Sequence, residues 1–222
     1  FDLLRQQVCY KTLAVLRLTK SFPTMRKLIL VGDSAEADAM IYLGLKLFFE
    51  GKITRSAYEK YLSFLGVEEK AAQKILHTVN VKDLRVSYIL IRNIKNRLQK
   101  QLKPLTLPLV LFNNYFEAFL FFILEKVFCS SCLFPITEKF YKHYGMPLEQ
   151  ILHYIRSMRS RSDELKLNLE IDKVESWLEK VDEFGISSNK FLSLPNRIED
   201  QEFEKLNEDQ ILELIWAYAK KQ

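Results

Sequence analysis

Three carboxylates follow one short apolar run near the start of the chain. The segment KLILVGDSAEADAMIY, residues 27–42, places Asp33, Glu36 and Asp38 directly after Leu-Ile-Leu-Val and a glycine. Like charges at this spacing repel one another, so the arrangement is unfavourable unless a cation or a cationic side chain lies among them. The pattern therefore raises the hypothesis of a Mg²⁺ site, because Mg²⁺ takes one or two protein carboxylates together with waters and a substrate phosphate.

The same residues also have a simpler interpretation as the start of a helix. Asp33 and Ser34 can cap a helix that begins near Ala35, and Glu36 would then favour the helix dipole. That interpretation uses one acid and leaves the position after an apolar run as a coincidence. In open α/β sheets the functional site lies at the carboxyl ends of the strands, which is where Asp33 would lie if residues 28–31 form a strand.

The apolar pattern predicts an open α/β sheet in the first part of the chain. The run at residues 28–31 is typical of a strand covered on both faces, and residues 85–94 and 107–112 are two further strand candidates. Asn113 or Asn114 can cap the aromatic helix that follows. The predicted helices are residues 3–20, 35–50, 54–65, 68–78 and 115–128.

Strand signals disappear after about residue 135, and the remaining segments have the periodicity of amphipathic helices. These are residues 138–144, 147–158, 165–184 and 208–221. We therefore predict an α/β portion over residues 1–134 and a helical C-terminal region over residues 135–222.

The composition is that of a folded protein with a mild basic bias. Of the 222 residues, 33 are Lys or Arg and 28 are Asp or Glu, which gives a net charge of +5. The densest basic cluster, Arg156, Arg159 and Arg161, is either a solvated helix end or a site for an anionic headgroup or a nucleic-acid phosphate. Aromatic residues are not interleaved with it as in a single-strand binder, so we predict no nucleic-acid partner.

Other features bear on the compartment of the protein. The chain opens on FDLLR without Met or an apolar leader, which suggests a processed product or part of a longer protein without a signal peptide. The apolar segment at residues 105–134 is interrupted by polar residues, so we expect a buried helix and no transmembrane span. Three cysteines indicate a reducing compartment such as the cytoplasm. The single CxxC, Cys129 and Cys132, predicts ordinary buried thiols rather than a redox pair or half a zinc site.

The acidic segment resembles a known phosphatase motif. Residues 32–38, GDSAEAD, match the GDxxxxD form of the fourth motif of haloacid dehalogenase-like phosphatases. More narrowly, LILVGDSAEADAMIY is similar to the LVGDSGEKDPEIY stretch of the actin-patch phosphatidate phosphatase family, although alanines replace the Gly, Lys and Pro of that motif. Lys11, a helix and Phe-Pro precede the segment at the spacing of that family. YILIRNI and LPLVLF resemble its later strands, and the similarity covers about residues 8–128.

The resemblance implies a Mg²⁺-dependent phosphatase on a Rossmann-like parallel sheet. Asp33 and Asp38 would hold or support the Mg²⁺, and Lys11 would stabilise the nucleophile and the charge on the phosphoryl group. Arg92 can reach the substrate phosphate or serve as a structural ion-pair partner. The implied substrate is phosphorylated, for example an anionic lipid such as phosphatidate, and the protein would then act peripherally at a membrane.

The chain departs from these enzymes in one respect, because it contains no DxDxT motif. The first Asp of that motif attacks phosphorus and the second acts as general acid and base. This chain alone is therefore expected to be inactive, and an N-terminal segment or a partner chain would complete the sheet. The alternative is a non-catalytic interaction module on a degenerate phosphatase fold, such as a bacterial protein acting in a host cell would use.

Overall fold

The computed structural model describes residues 2–22, 24–34, 37–78, 84–94, 109–181 and 206–219. Within them the chain is an α/β protein with a small open parallel sheet of three strands and many helices. The strands are β1 (Lys27–Asp33), β2 (Arg85–Arg92) and β3 (Val110–Phe112), in the sheet order β1-β2-β3. The helices are α1 (Asp2–Ser21), α2 (Asp38–Phe49), α3 (Arg55–Phe64), α4 (Glu69–Thr78), α5 (Tyr115–Leu124), α6 (Leu133–Tyr144), α7 (Leu148–Arg159), α8 (Leu165–Val181) and α9 (Glu208–Ala219).

The chain divides into two compact units, residues 1–111 with 197–222 and residues 112–196. This boundary lies earlier than the predicted division after residue 134. The reason is that α5 packs against α6 and α7, so the aromatic helix belongs to the second unit. Helix α9 belongs to the first unit instead, because Ile211 and Leu212 are buried in its core.

The first unit is built on the parallel pair β1 and β2. Leu28 and Leu30 of β1 and residues 89–91 of β2 are buried, as expected for strands covered by helices. Helix α2 packs on both strands, and α1 packs on α2 and α4. Gly44 of α2 permits a close helix contact, since a Cβ there would lie 2.8 Å from Cδ1 of Tyr61 on α3.

The second unit is a helical cluster around aromatic and aliphatic side chains. Its core includes Phe116 of α5, Leu133 of α6, Ile155 of α7 and Ile171 of α8, each of which is fully buried. Asn114 caps α5 by accepting a hydrogen bond from the Glu117 backbone N–H at 3.0 Å, which confirms one of the two caps expected from the sequence. Within the described residues, no helix combines the length and the apolar character that crossing a bilayer requires.

Candidate functional site

The carboxyl ends of β1 and β2 bring the predicted site residues together. In the parallel register Gly32 lies opposite Ile91 and Asp33 lies opposite Arg92. The turn after β1 is tied to β2, because Ser34 donates its backbone N–H to the Arg92 carbonyl at 2.9 Å and its Oγ accepts from the Ile94 N–H at 2.8 Å. Residues 33 and 92 are therefore held side by side at the carboxyl ends of the two strands, where functional sites of open α/β folds lie.

Asp38 is the buried member of a charged cluster formed by Lys11, Asp33, Asp38 and Arg92. Its side chain is only 5% exposed, and its Oδ1 accepts a hydrogen bond from Lys11 Nζ of α1. Its Oδ2 accepts from the backbone N–H of Asp33 at 3.1 Å. Asp38 therefore joins three separate elements: the helix before β1, the end of β1 and the start of α2.

Gly32 leaves room for the Asp38 carboxylate. A Cβ placed on residue 32 would overlap the Asp38 side chain, with its Cγ at 2.7 Å. Real Cβ atoms do not approach carbon this closely, so the carboxylate would have to move. The Gly and the second Asp of the GDxxxxD pattern are thus linked by a steric requirement.

Asp33 is the more accessible carboxylate of the pair. Its side chain is 28% exposed, and its Oδ2 lies 3.9 Å from a guanidinium nitrogen of Arg92, at the outer limit of an ion pair. Among the described residues, Asp38 thus faces Lys11 and Asp33 faces Arg92, so each carboxylate has a cationic neighbour. The cationic partners that the acidic pattern called for are Lys11 and Arg92, while Glu36 lies outside the described residues.

The alternative interpretation, in which Asp33 and Ser34 cap a helix that begins near Ala35, does not describe the segment after β1. Helix α2 begins at Asp38, and the residue in its N-cap position is Ala37, which makes no side-chain cap hydrogen bond. Ser34 Oγ instead accepts a hydrogen bond from the backbone N–H of Ile94, two residues after β2. The acidic residue in the first turn is Asp38, whose negative charge is favourable beside the helix N-terminus.

Of the two described carboxylates in this segment, Asp33 is the better placed to hold a magnesium ion. Both Asp38 oxygens already accept hydrogen bonds, whereas the Asp33 side chain is partly exposed at the strand end. Mg²⁺ is commonly bound through one carboxylate, several waters and a substrate phosphate, so Asp33 fits that role. Within the described ranges, no group of three or more His, Cys, Asp or Glu side chains is arranged to hold a metal.

Sequence reasoning missed a buried polar cluster in the second unit. Glu117 of α5 is fully buried, and its Oε2 accepts the Asn113 backbone N–H at 2.7 Å. The side-chain amides of Asn113 and Asn114 and the hydroxyl of Tyr154 also donate to this carboxylate. The available signal was an Asn-Asn pair followed by one acid in an otherwise apolar helix, which indicates a buried carboxylate that needs donors.

The basic cluster has a structural role at Arg159. Its guanidinium lies 2.6 Å from Asp172 and 2.7 Å from Glu175, and these carboxylates raise the pKa of Arg159. Arg159 therefore links α7 to α8, as expected of an ordinary surface ion pair.

Comparison of the whole chain with protein-family models, curated proteins and solved structures finds no match.

Proposed function

We propose that the first unit is the C-terminal part of a Mg²⁺-dependent phosphatase of the haloacid dehalogenase-like type. The observation that supports this proposal is the position of Asp33, a partly exposed carboxylate at the carboxyl end of a parallel strand beside Lys11, Asp38 and Arg92. Phosphoryl transfer depends mainly on positioning the phosphate and neutralising its oxygens. A bound Mg²⁺ would supply part of that neutralisation.

Each residue then has a distinct role. Asp33 holds the metal with its waters, and Arg92 contacts phosphate oxygens from the neighbouring strand. Asp38 is a positioning residue, because its two oxygens orient the Lys11 ammonium and the backbone of Asp33. Lys11 provides a positive charge for the phosphoryl group, and its side chain is 23% exposed.

The nucleophile would come from a strand that this sequence does not contain. Among the described strands β1 is at the edge of the sheet, since the order is β1-β2-β3. A parallel strand added beside β1 would bring its own carboxyl end next to Asp33. A DxDxT segment in an adjoining part of the protein or in a partner chain would complete the site in this way.

The substrate class that we propose is a phosphate ester of an anionic lipid such as phosphatidate. This part of the proposal rests on the motif resemblance alone. An assay of the complete protein would compare phosphatidate vesicles with a soluble phosphate monoester. Preference for the soluble ester would remove the lipid assignment and keep the phosphatase assignment.

A non-catalytic interaction module is the second candidate. The observation that favours it is the local charge balance, because Lys11 and Arg92 already face the two carboxylates. In that case the cluster would hold α1, β1 and α2 together, and the helices of the second unit would bind a protein partner.

Metal binding to this chain distinguishes the two candidates. Mn²⁺ serves as a paramagnetic probe for the Mg²⁺ site, and water-proton relaxation reports its binding. We expect binding that Mg²⁺ displaces and that Asp33→Asn abolishes without a change in circular dichroism. Asp163→Asn, which removes an exposed carboxylate of the second unit, is the control and should bind as the wild type does.

Equal Mn²⁺ binding by Asp33→Asn and the wild type would contradict the metal assignment and favour the interaction module. In the complete protein, Asp33→Asn should also abolish Mg²⁺-dependent phosphate release while the protein stays folded.

A further inference from the structure

The CxxC segment does not have the buried environment expected from its apolar neighbours. Helix α5 ends at Leu124, and the chain then turns through Lys126, which has a positive φ of 57°. Residues 130–132 form a 3-10 turn that leads directly into α6. As a result Cys129 is exposed and Cys132 is half-buried, so the prediction of ordinary buried thiols is wrong.

The two thiols are in direct contact. Cys129 Sγ lies 3.2 Å from Cys132 Sγ and 2.9 Å from Ser131 Oγ. The backbone holds this pair, because the Cys132 N–H donates to the Cys129 carbonyl at 3.0 Å. The turn itself packs against α6 and α8. A small side-chain rotation would bring the sulfurs to bonding distance without unfolding any helix.

The two thiols also differ from each other in a way that suits exchange chemistry. Hydrogen bonds from Ser131 and Cys132 lower the pKa of Cys129, whereas the hydrogen bond to Cys129 raises the pKa of Cys132. The exposed Cys129 is therefore suited to be the attacking thiolate, and the half-buried Cys132 is suited to be the resolving thiol. Zinc is a poorer explanation, since no third His, Cys, Asp or Glu joins the pair in the described part of the chain.

We propose that Cys129 and Cys132 form a redox-active dithiol that closes reversibly to an intramolecular disulfide by exchange with a disulfide-containing partner. This inference is independent of the proposed phosphatase function. In the first step the Cys129 thiolate attacks one sulfur of the partner disulfide, which forms a mixed disulfide and releases one partner thiolate. Cys132 then loses its proton and attacks Cys129 Sγ, which releases the second partner thiolate.

The exchange is balanced in electrons and protons. The two cysteines lose two electrons and two protons, and the partner disulfide gains them as two thiols. Oxidised glutathione can serve as the probe for this step, because it is a disulfide that reacts by the same exchange.

The test equilibrates the purified chain with oxidised glutathione and then alkylates the remaining thiols for intact and peptide mass spectrometry. We expect the wild type to retain one alkylatable thiol, Cys9, with a disulfide in the peptide that contains residues 129 and 132. The Cys9→Ser variant should form the same disulfide. Cys9 is the internal comparison, since it is half-buried in α1 and burial raises its pKa.

Two single variants test the order of attack. Cys132→Ser should accumulate a glutathione adduct on Cys129, because the resolving thiol is missing. Cys129→Ser should form the adduct on Cys132 several-fold more slowly. Ser131→Ala should slow alkylation of reduced Cys129 at neutral pH, because it removes a hydrogen bond that lowers the pKa of that thiol.

Two outcomes would overturn the proposal. One is that the wild type carries glutathione adducts or intermolecular disulfides and no internal 129–132 bond. The other is that Cys129 and Cys9 react with glutathione at the same rate in the folded protein. Because residues 129, 131 and 132 lie on or next to the 3-10 turn and Cys9→Ser changes only sulfur to oxygen, circular dichroism should show a folded protein for every variant.

Discussion

Two buried carboxylates, one in each compact unit, are satisfied by different means. Asp38 in the first unit pairs with the cationic Lys11, whereas the described partners of Glu117 in the second unit are all neutral donors. An ion pair fixes charge at a strand end, where it can act on a ligand. A carboxylate surrounded by amides and a phenol fixes the backbone around it. Asp38 therefore holds a cationic side chain at the proposed site, whereas Glu117 stabilises the fold of the second unit.

The largest expected effect is the loss of Glu117. Glu117→Ala leaves the Asn113 N–H, two side-chain amides and the Tyr154 hydroxyl without their common acceptor, at a cost of about 3 kcal/mol. Urea unfolding should be followed by the fluorescence of Trp177, which packs on Phe134 and Tyr141, in a Trp216→Phe background.

Glu138→Ala is the matched control for that measurement. Glu138 lies on the surface of α6 and pairs only with Lys142 in the described structure, so its removal should cost less than about 0.5 kcal/mol. Equal urea midpoints for the two variants would show that the Glu117 cluster does not stabilise the second unit.

A smaller effect is expected at Asp38. Asp38→Asn keeps the shape of the side chain but removes the charge that faces Lys11. We expect the free energy of unfolding to fall by about 2 kcal/mol, which is less than for a fully buried ion pair because Lys11 is partly exposed. A double-mutant cycle with Lys11→Met separates the pair interaction from the other contacts of Asp38. Additive effects of the two substitutions would mean that Lys11 and Asp38 do not interact energetically.

Gly32→Ala tests the steric link within the GDxxxxD pattern. The added Cβ would displace the Asp38 carboxylate, with an expected cost of about 1–2 kcal/mol in urea unfolding. In an Asp38→Ala background the same substitution should cost less, because the overlapping atoms are gone. An equal cost in both backgrounds would place the strain elsewhere on β1.

The smallest effect at neutral pH is expected for Tyr154. Tyr154→Phe removes one hydrogen bond to Glu117, at a cost of about 1 kcal/mol. Burial, together with the hydrogen bond to Glu117, raises the pKa of Tyr154 to about 12. Since a tyrosine in the unfolded chain has a pKa of about 10, the neutral phenol stabilises the fold below pH 10, and this contribution is lost between about pH 10 and pH 12.

The pH dependence is tested by comparing the wild type with two tyrosine variants. The second unit of the wild type, followed by Trp177 fluorescence, should lose more stability between pH 10 and pH 12 than that of Tyr154→Phe. Tyr144→Phe, at an exposed position of α6, should behave as the wild type does. If Tyr154→Phe loses as much stability as the wild type over this range, the phenol does not stay neutral in the folded protein.

Much of the secondary structure could be predicted from local pattern. The predicted strand at residues 28–31 lies within β1, and the helix at residues 54–65 corresponds to α3, because apolar periodicity and caps are local properties. The start of α2 was placed too early: the helix begins at Asp38, and Ser34 before it is bonded to Ile94, 60 positions away in the sequence. The prediction of buried thiols was also wrong, because the chain turns at Lys126 after α5 and Cys129 is exposed.

The sequence by itself determined that a strand would end in Gly-Asp and that charge there would need a partner, because both follow from local composition. Only the tertiary structure decided which partners these are. Lys11 lies 27 positions from Asp38, and Arg92 faces Asp33 through the register of two parallel strands. Likewise, Tyr154 reaches Glu117 across 37 positions. Such contacts depend on how helices and strands pack, and a local pattern carries no information about side chains that meet only after folding.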